Sequence, residues 1–202
     1  MVLSFHIIPI FEQIIKTMRL QIPFLFALSP IILLCGCGLS SPQVPQVDPK
    51  GTVFPGIKGT SLEGKLTHMP EDYAGKPVVL IIGYLQKSQF DIDRWIYGIL
   101  ENNIGIRVVE VPTLPGLVPG MISNIIDNGM RGGIPKEDWG GVVTVYDDAS
   151  KIVDAIGNDN PQNGHVVLLG SDGRILWLHD RGFSPRILLD LKKRIAELPP
   201  GA

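Results

Sequence analysis

Cysteine is nearly missing from this sequence. Only Cys35 and Cys37 occur among its 202 residues, so nothing after Cys37 carries a thiol. That excludes a disulfide framework for the body of the chain. Positive charge is not concentrated either. Eighteen Lys and Arg against 20 Asp and Glu leave a formal net charge of −2. No basic run is present to track a phosphate backbone, so nucleic acid is not an expected partner. Histidines are few, and His68, His165 and His179 form no His-x-x-x-His pair, so no metal or other cofactor is expected. The oxygen-rich Asn158-Asp159-Asn160 stretch lacks the acidic alternation and terminal Glu of a calcium loop and reads as a turn. No internal repeat is visible.

Gly (23) and Pro (17) are plentiful, which argues for many turns and short elements. The strongest local signal is N-terminal. Arg19 supplies a positive n-region, and Leu20 to Leu34 is an apolar h-region interrupted by Pro23 and Pro30. A membrane-spanning helix needs about 20 apolar residues, so this stretch is short for one. Leu34-Cys35-Gly36-Cys37 then resembles a bacterial lipobox, with cleavage between Gly36 and Cys37. The acceptor of the diacylglycerol must be a thiolate, and the residue before the cut must be small. Residues 1–36 therefore read as a signal peptide, with Met18 as an alternative true start. Acyl chains such as palmitate would anchor the chain to membrane lipid through Cys37, each buried methylene contributing about 0.8 kcal/mol. Gly38, not Asp, follows Cys37, which favours the outer membrane and a periplasm-facing domain in the cell envelope.

Residues 37–55 carry the lipidated Cys and a Pro/Ser-rich stretch read as a flexible tether. Residues 56–198 read as one domain, a size that buries a real core. Leu62 to Leu66 suggests two short strands around a turn. Val78 to Tyr84 is an unbroken apolar, β-branched run suited to a strand covered on both faces. Phe90 to Asn102 has helical apolar spacing, with Asp91 and Asp93 placed to complement the helix dipole. A strand over Ile106 to Val111 follows, then a helix over Met121 to Met130 stopped by Gly132-Gly133 and Pro135. A strand over Val142 to Tyr146 and a helix over Ser150 to Ile156 come next. His165 to Leu169 and Arg174 to His179 flank an Asp172-Gly173 turn, a hairpin signature. Ser184 and Pro185 start a last helix that runs to about Leu198.

This order, β-α-β followed by a hairpin and a closing helix, is the thioredoxin-like layout: an α/β fold with a central mixed β-sheet flanked by helices. The resemblance runs from Leu62 to Leu198. Within the thioredoxin-like proteins the chain most resembles the family of the mitochondrial ATP synthase assembly factor and its bacterial relatives. The residues carrying it are Gly75-Lys76-Pro77-Val78-Val79-Leu80, Trp95, Met130-Arg131 and Ile134-Pro135. Gly157, Asn160, Gly164, Asp172-Gly173-Arg174-Ile175, Trp177 and Gly182 complete the set. The resemblance implies a role in assembling a membrane complex.

Departures from that pattern bear on activity. Redox members place cysteine just after the first central strand, where this chain reads Tyr84-Leu85-Gln86-Lys87-Ser88-Gln89. They also carry a cis-Pro where Gly164-His165 stands here. Without a thiolate there is no disulfide exchange and no copper-chaperone ligand set. The leading expectation is thus a redox-inactive, membrane-anchored assembly or folding factor that binds a protein partner and is not an enzyme. Two alternatives stand beside it. One is a ligand binder or non-thiol enzyme using the degenerate site. The other is a thiol oxidoreductase that retains Cys35 and Cys37. Candidate site or partner-binding residues are Tyr84, Lys87, Ser88, Gly164, His165 and Trp139. The Pro- and Gly-rich stretch from Leu114 to Met130 is a candidate binding surface.

Overall fold

The computed structural model describes residues 48–116 and 121–199. Cys35, Gly36 and Cys37 lie outside these residues, so the signal peptide and its cleavage point are not described.

The Val78–Gly83 run is a strand (β3) buried at all six positions. It sits centrally because both of its faces are apolar. Its neighbours are β4 (Arg107–Pro112), which runs parallel, and β6 (His165–Leu169), which runs antiparallel. The Asp172-Gly173 turn returns the chain as β7 (Ile175–His179) against β6. An N-terminal hairpin, β1 (Ile57–Ser61) and β2 (Leu66–Met69), pairs through β1 with β5 (Val143–Thr144). Bridges between Glu110 and Val142 and between Thr113 and Val145 join β5 to β4. The strand order across the molecule is therefore β2-β1-β5-β4-β3-β6-β7, a mixed sheet.

Helices cover both faces. On one face α1 (Gln89–Glu101) and α4 (Pro185–Ala196) bury Ile92, Trp95, Ile99, Leu188 and Leu191 against Val79, Ile81, Val166 and Leu168. On the other, α3 (Ala149–Ile156) buries Ile152 and Ile156 with Leu80, Ile82, Val167 and Leu169. The alternation along β3 assigns odd residues to one core and even residues to the other, as the two-residue strand period requires. The thioredoxin-like α/β expectation is met.

Three local expectations change. The tether was expected to reach Pro55, but residues 49–54 are packed on the domain. Gly51 N–H donates to Ile175 O at 2.7 Å, Ile175 N–H donates to Thr52 O at 2.9 Å, and Phe54 is 1% exposed. The free edge of β7 offers unpaired backbone groups, and this segment satisfies them. The compact domain accordingly starts at Asp48. Second, α2 (Met121–Gly133) runs through Gly132-Gly133 and stops before Pro135, because Arg131 anchors its last turn by donating from Nε to Leu62 O at 2.7 Å. Third, Ser184 occupies the N-cap of α4 without a side-chain capping bond.

Candidate functional site

The C-terminal end of β3, the N-terminal end of β6 and the C-terminal end of β7 converge at one end of the sheet, since Ile82 registers with His165 and Val166 with His179. The first turn of α1 starts there. This is where the sequence pattern places the degenerate site, and the two segments do meet.

Tyr84 and His165 contact each other edge to face, with ring centroids 4.9 Å apart. Both are buried. They share parity with Ile82 and Val167, so they lie on the α3 side of the sheet. The Tyr84 hydroxyl donates to Gly157 O at 3.1 Å, and burial pushes its acidity far below that of an ordinary tyrosine. His165 has Nδ1 3.4 Å from Asn163 O, while its buried Nε2 has no partner. Burial holds the His165 pKa below its ordinary value, against the opposing pull of Asp180, Asn163, Asp159 and Asp91.

Ser88 lies on the other side of the sheet. Its Oγ donates to Leu85 O at 2.6 Å, and a Cβ at Gly83 would come within 2.9 Å of that oxygen. Gly83 is thus required for the close approach of the α1 lead-in. Ser88 is 1% exposed, and its hydroxyl proton is committed to Leu85 O. Ser88 and His165 therefore do not form a nucleophile–base pair. Lys87 is exposed and enters no described ion pair.

Gly164 is buried, and its N–H donates to Asp91 Oδ2 at 3.0 Å. Asp91 Oδ1 accepts from Phe183 N–H at 2.7 Å. A single buried carboxylate in α1 thereby holds the loop before β6 and the loop after β7. The Asn160 and Asn163 amides complete the corner by donating to Asp180 Oδ2 (3.0 Å) and Asp180 O (3.1 Å). The sequence pattern had assigned Asp91 only to the helix dipole. It also passed over Glu110, which is 8% exposed in an otherwise apolar strand. A lone charge in a buried run was the available signal. Burial and the nearby Asp93 raise the Glu110 pKa to about 7, with a Gln89 hydrogen bond opposing.

Trp139 is not part of this cluster. It lies in a 3-10 turn (Lys136–Gly141) beside β5, half-buried, with Nε1 donating to Ile134 O at 2.9 Å. The Arg131 guanidinium covers its ring at 5.8 Å. In the Leu114 to Met130 stretch, Ile125 is 51% exposed, and α2 is tied down by polar bonds, with Asp127 accepting from the Tyr146 hydroxyl at 2.8 Å. No cluster of three or more His, Cys, Asp or Glu suited to a metal ion occurs among the described residues.

The domain is thus thioredoxin-like in fold, with Tyr84 to Gln89 following the central strand β3 and Gly164-His165 at the start of β6. No protein-family profile and no curated protein matches the chain. Solved structures do. The pneumococcal exposed lipoprotein thioredoxin Etrx1 of Streptococcus pneumoniae matches with TM-score 0.51 and 15% identity, over 69% of this chain and 99% of that one. An SCO1/SenC family lipoprotein from Bacillus anthracis matches with TM-score 0.50 and 18% identity, over 72% and 95%. BsSco, a member of the Sco family of cytochrome c oxidase assembly proteins, matches with TM-score 0.50 and 12% identity, over 76% and 98%. At such identities the likeness concerns the fold.

Proposed function

We propose that the chain is a cell-envelope lipoprotein, anchored through acylated Cys37, whose thioredoxin-like domain acts without thiol chemistry by binding a protein partner during assembly or folding. The observation that carries this reading is the filled site. The thiol position is occupied by Tyr84 to Gln89, Ser88 is bonded internally, and no cysteine follows Cys37. Apolar side chains flank it at the surface: Leu85 is 48% and Phe90 66% exposed. That pair suits contact with a protein surface.

The lipoproteins among the structural neighbours and the assembly role of the Sco family are consistent with this use of the fold. The family resemblance read from the sequence points the same way, toward assembly of a membrane complex.

The test is an intact mass of protein extracted from native membranes, with and without thiol alkylation. The expected mass is that of a chain beginning at acylated Cys37 with no alkylatable thiol. A mass retaining Cys35 with free or paired thiols would sink the reading and reinstate thiol chemistry.

A further inference from the structure

Exposed apolar side chains gather on one helix. Phe90, Tyr97 and Leu100 of α1 are 66%, 50% and 64% exposed. Among the described residues no other helix exposes more than one large hydrophobic, Ile125 on α2 and Leu189 on α4. At about 100° per residue, Phe90, Arg94, Tyr97 and Glu101 fall within roughly 60° of one another around the helix, and Leu100 borders them. The opposite face buries Ile92, Trp95 and Ile99. The stripe is thus the solvent side of an amphipathic helix, and it carries aromatic rings where polar residues are the rule.

The stripe also holds two charges of opposite sign. Arg94 and Glu101 are exposed, and none of the described ion pairs includes either. They lie about two turns apart on one line, equally far from a midpoint between Tyr97 and Gly98. A second α1 laid antiparallel across that midpoint sets Arg94 against the partner's Glu101, and Glu101 against the partner's Arg94. A two-fold axis makes both pairs at once. Parallel helices would oppose like charges instead. A lipid surface matches less well, because interfacial helices carry an excess of Lys and Arg and this stripe is balanced.

We propose that α1 is a self-association face: two copies of this chain pair antiparallel through Phe90, Tyr97 and Leu100, oriented by reciprocal Arg94–Glu101 ion pairs. The covered rings supply the attraction, and the charges fix direction and partner. Phe90 also belongs to the surface assigned above to an assembly partner, so a second copy and that partner exclude each other there. The pairing itself does not depend on the lipid anchor, which the intact mass decides separately.

The test is photocrosslinking of the full chain in its native host, with benzoylphenylalanine in place of Tyr97. The expected product has twice the chain mass and contains peptides of this chain alone. The same group at Val53 or Ile125, which are 54% and 51% exposed, should give no such product. Arg94→Glu and Glu101→Arg should each lower the yield about tenfold, since two attractive pairs become repulsive. The double variant should restore it, because the stripe is again self-complementary. Coexpression of the two single variants should restore it as well, by pairing an acidic stripe with a basic one. Absence of the chain-to-chain product would overturn the proposal, as would a yield that single swaps leave unchanged or that the double variant does not recover. Capture of a different protein alone at position 97 would also overturn it, while favouring the assembly-partner reading of this surface.

Discussion

Asp91 ties three segments together through one carboxylate. Its two oxygens accept from Gly164 and Phe183 N–H groups at 3.0 and 2.7 Å, and the side chain is 7% exposed. Asp91→Ala leaves two backbone donors without partners, and the expected loss is about 2–4 kcal/mol in urea unfolding. Asp91→Asn, which can still accept one bond, should fall between. His165 supplies a pH-dependent contribution to stability. Burial holds its folded pKa below the ordinary value of 6.5. The unfolded chain therefore takes up a proton first as pH falls, and stability is present above about pH 6.5 and lost below it. Thermal melts from pH 7.5 to pH 5 should show this loss, and His165→Phe should flatten it. A wild-type curve with no acid loss attributable to His165 would contradict the burial argument.

Among the elements, β1 and α2 are held in different ways. At Gly59 a Cβ would lie 2.6 Å from Val143 Cγ1 and 2.8 Å from the Thr144 backbone oxygen. The backbone oxygen belongs to a paired strand and cannot swing aside, so Gly59→Ala should cost roughly 2–3 kcal/mol and loosen the β1–β5 pairing. By contrast, α2 depends on directed polar contacts: Arg131 to Leu62 O, and Asp127 to Tyr146 and Thr144. Arg131→Ala removes the last-turn anchor and the cover over Trp139. We expect faster amide exchange confined to α2 and the Lys136–Gly141 turn, with a global loss of only about 1 kcal/mol. Arg131→Lys should not restore protection, because a point charge cannot both donate along the Nε direction and lie over the ring. These elements also show what was readable locally. The all-apolar run of β3 and the Asp172-Gly173 hairpin announce themselves within a few residues. The length of α2 did not, since Gly132-Gly133 would end an isolated helix and is carried here by a contact with Leu62, 69 residues away.

At the scale of the whole molecule, the domain begins earlier than its globular pattern suggests. Residues 49–54 extend the sheet beside β7 and bury Phe54 in the main core. A chain starting at Gly56 should be less stable than one starting at Asp48 by about 3–5 kcal/mol, the sum of a buried Phe and several edge hydrogen bonds. Equal denaturation midpoints would return this segment to the tether. Its polar composition gave no sign of this, because the reason for its order lies with partners such as Arg174, 123 residues on from Gly51.

The amino-acid sequence by itself determined the fold class and the absence of any thiol after Cys37. Apolar runs and turn residues report burial and reversal locally, and a thiol that is not encoded after Cys37 cannot be recovered by folding. Tertiary structure alone decided how the site is built. It put Ser88 and His165 on opposite faces of one sheet, although their segments are adjacent. It turned Asp91 from a helix-end charge into a tie between loops, and it buried Glu110 between Ile81 of β3 and Val142. Each of these depends on which strand lies beside which, and pairing between distant segments is a long-range property that no local pattern encodes.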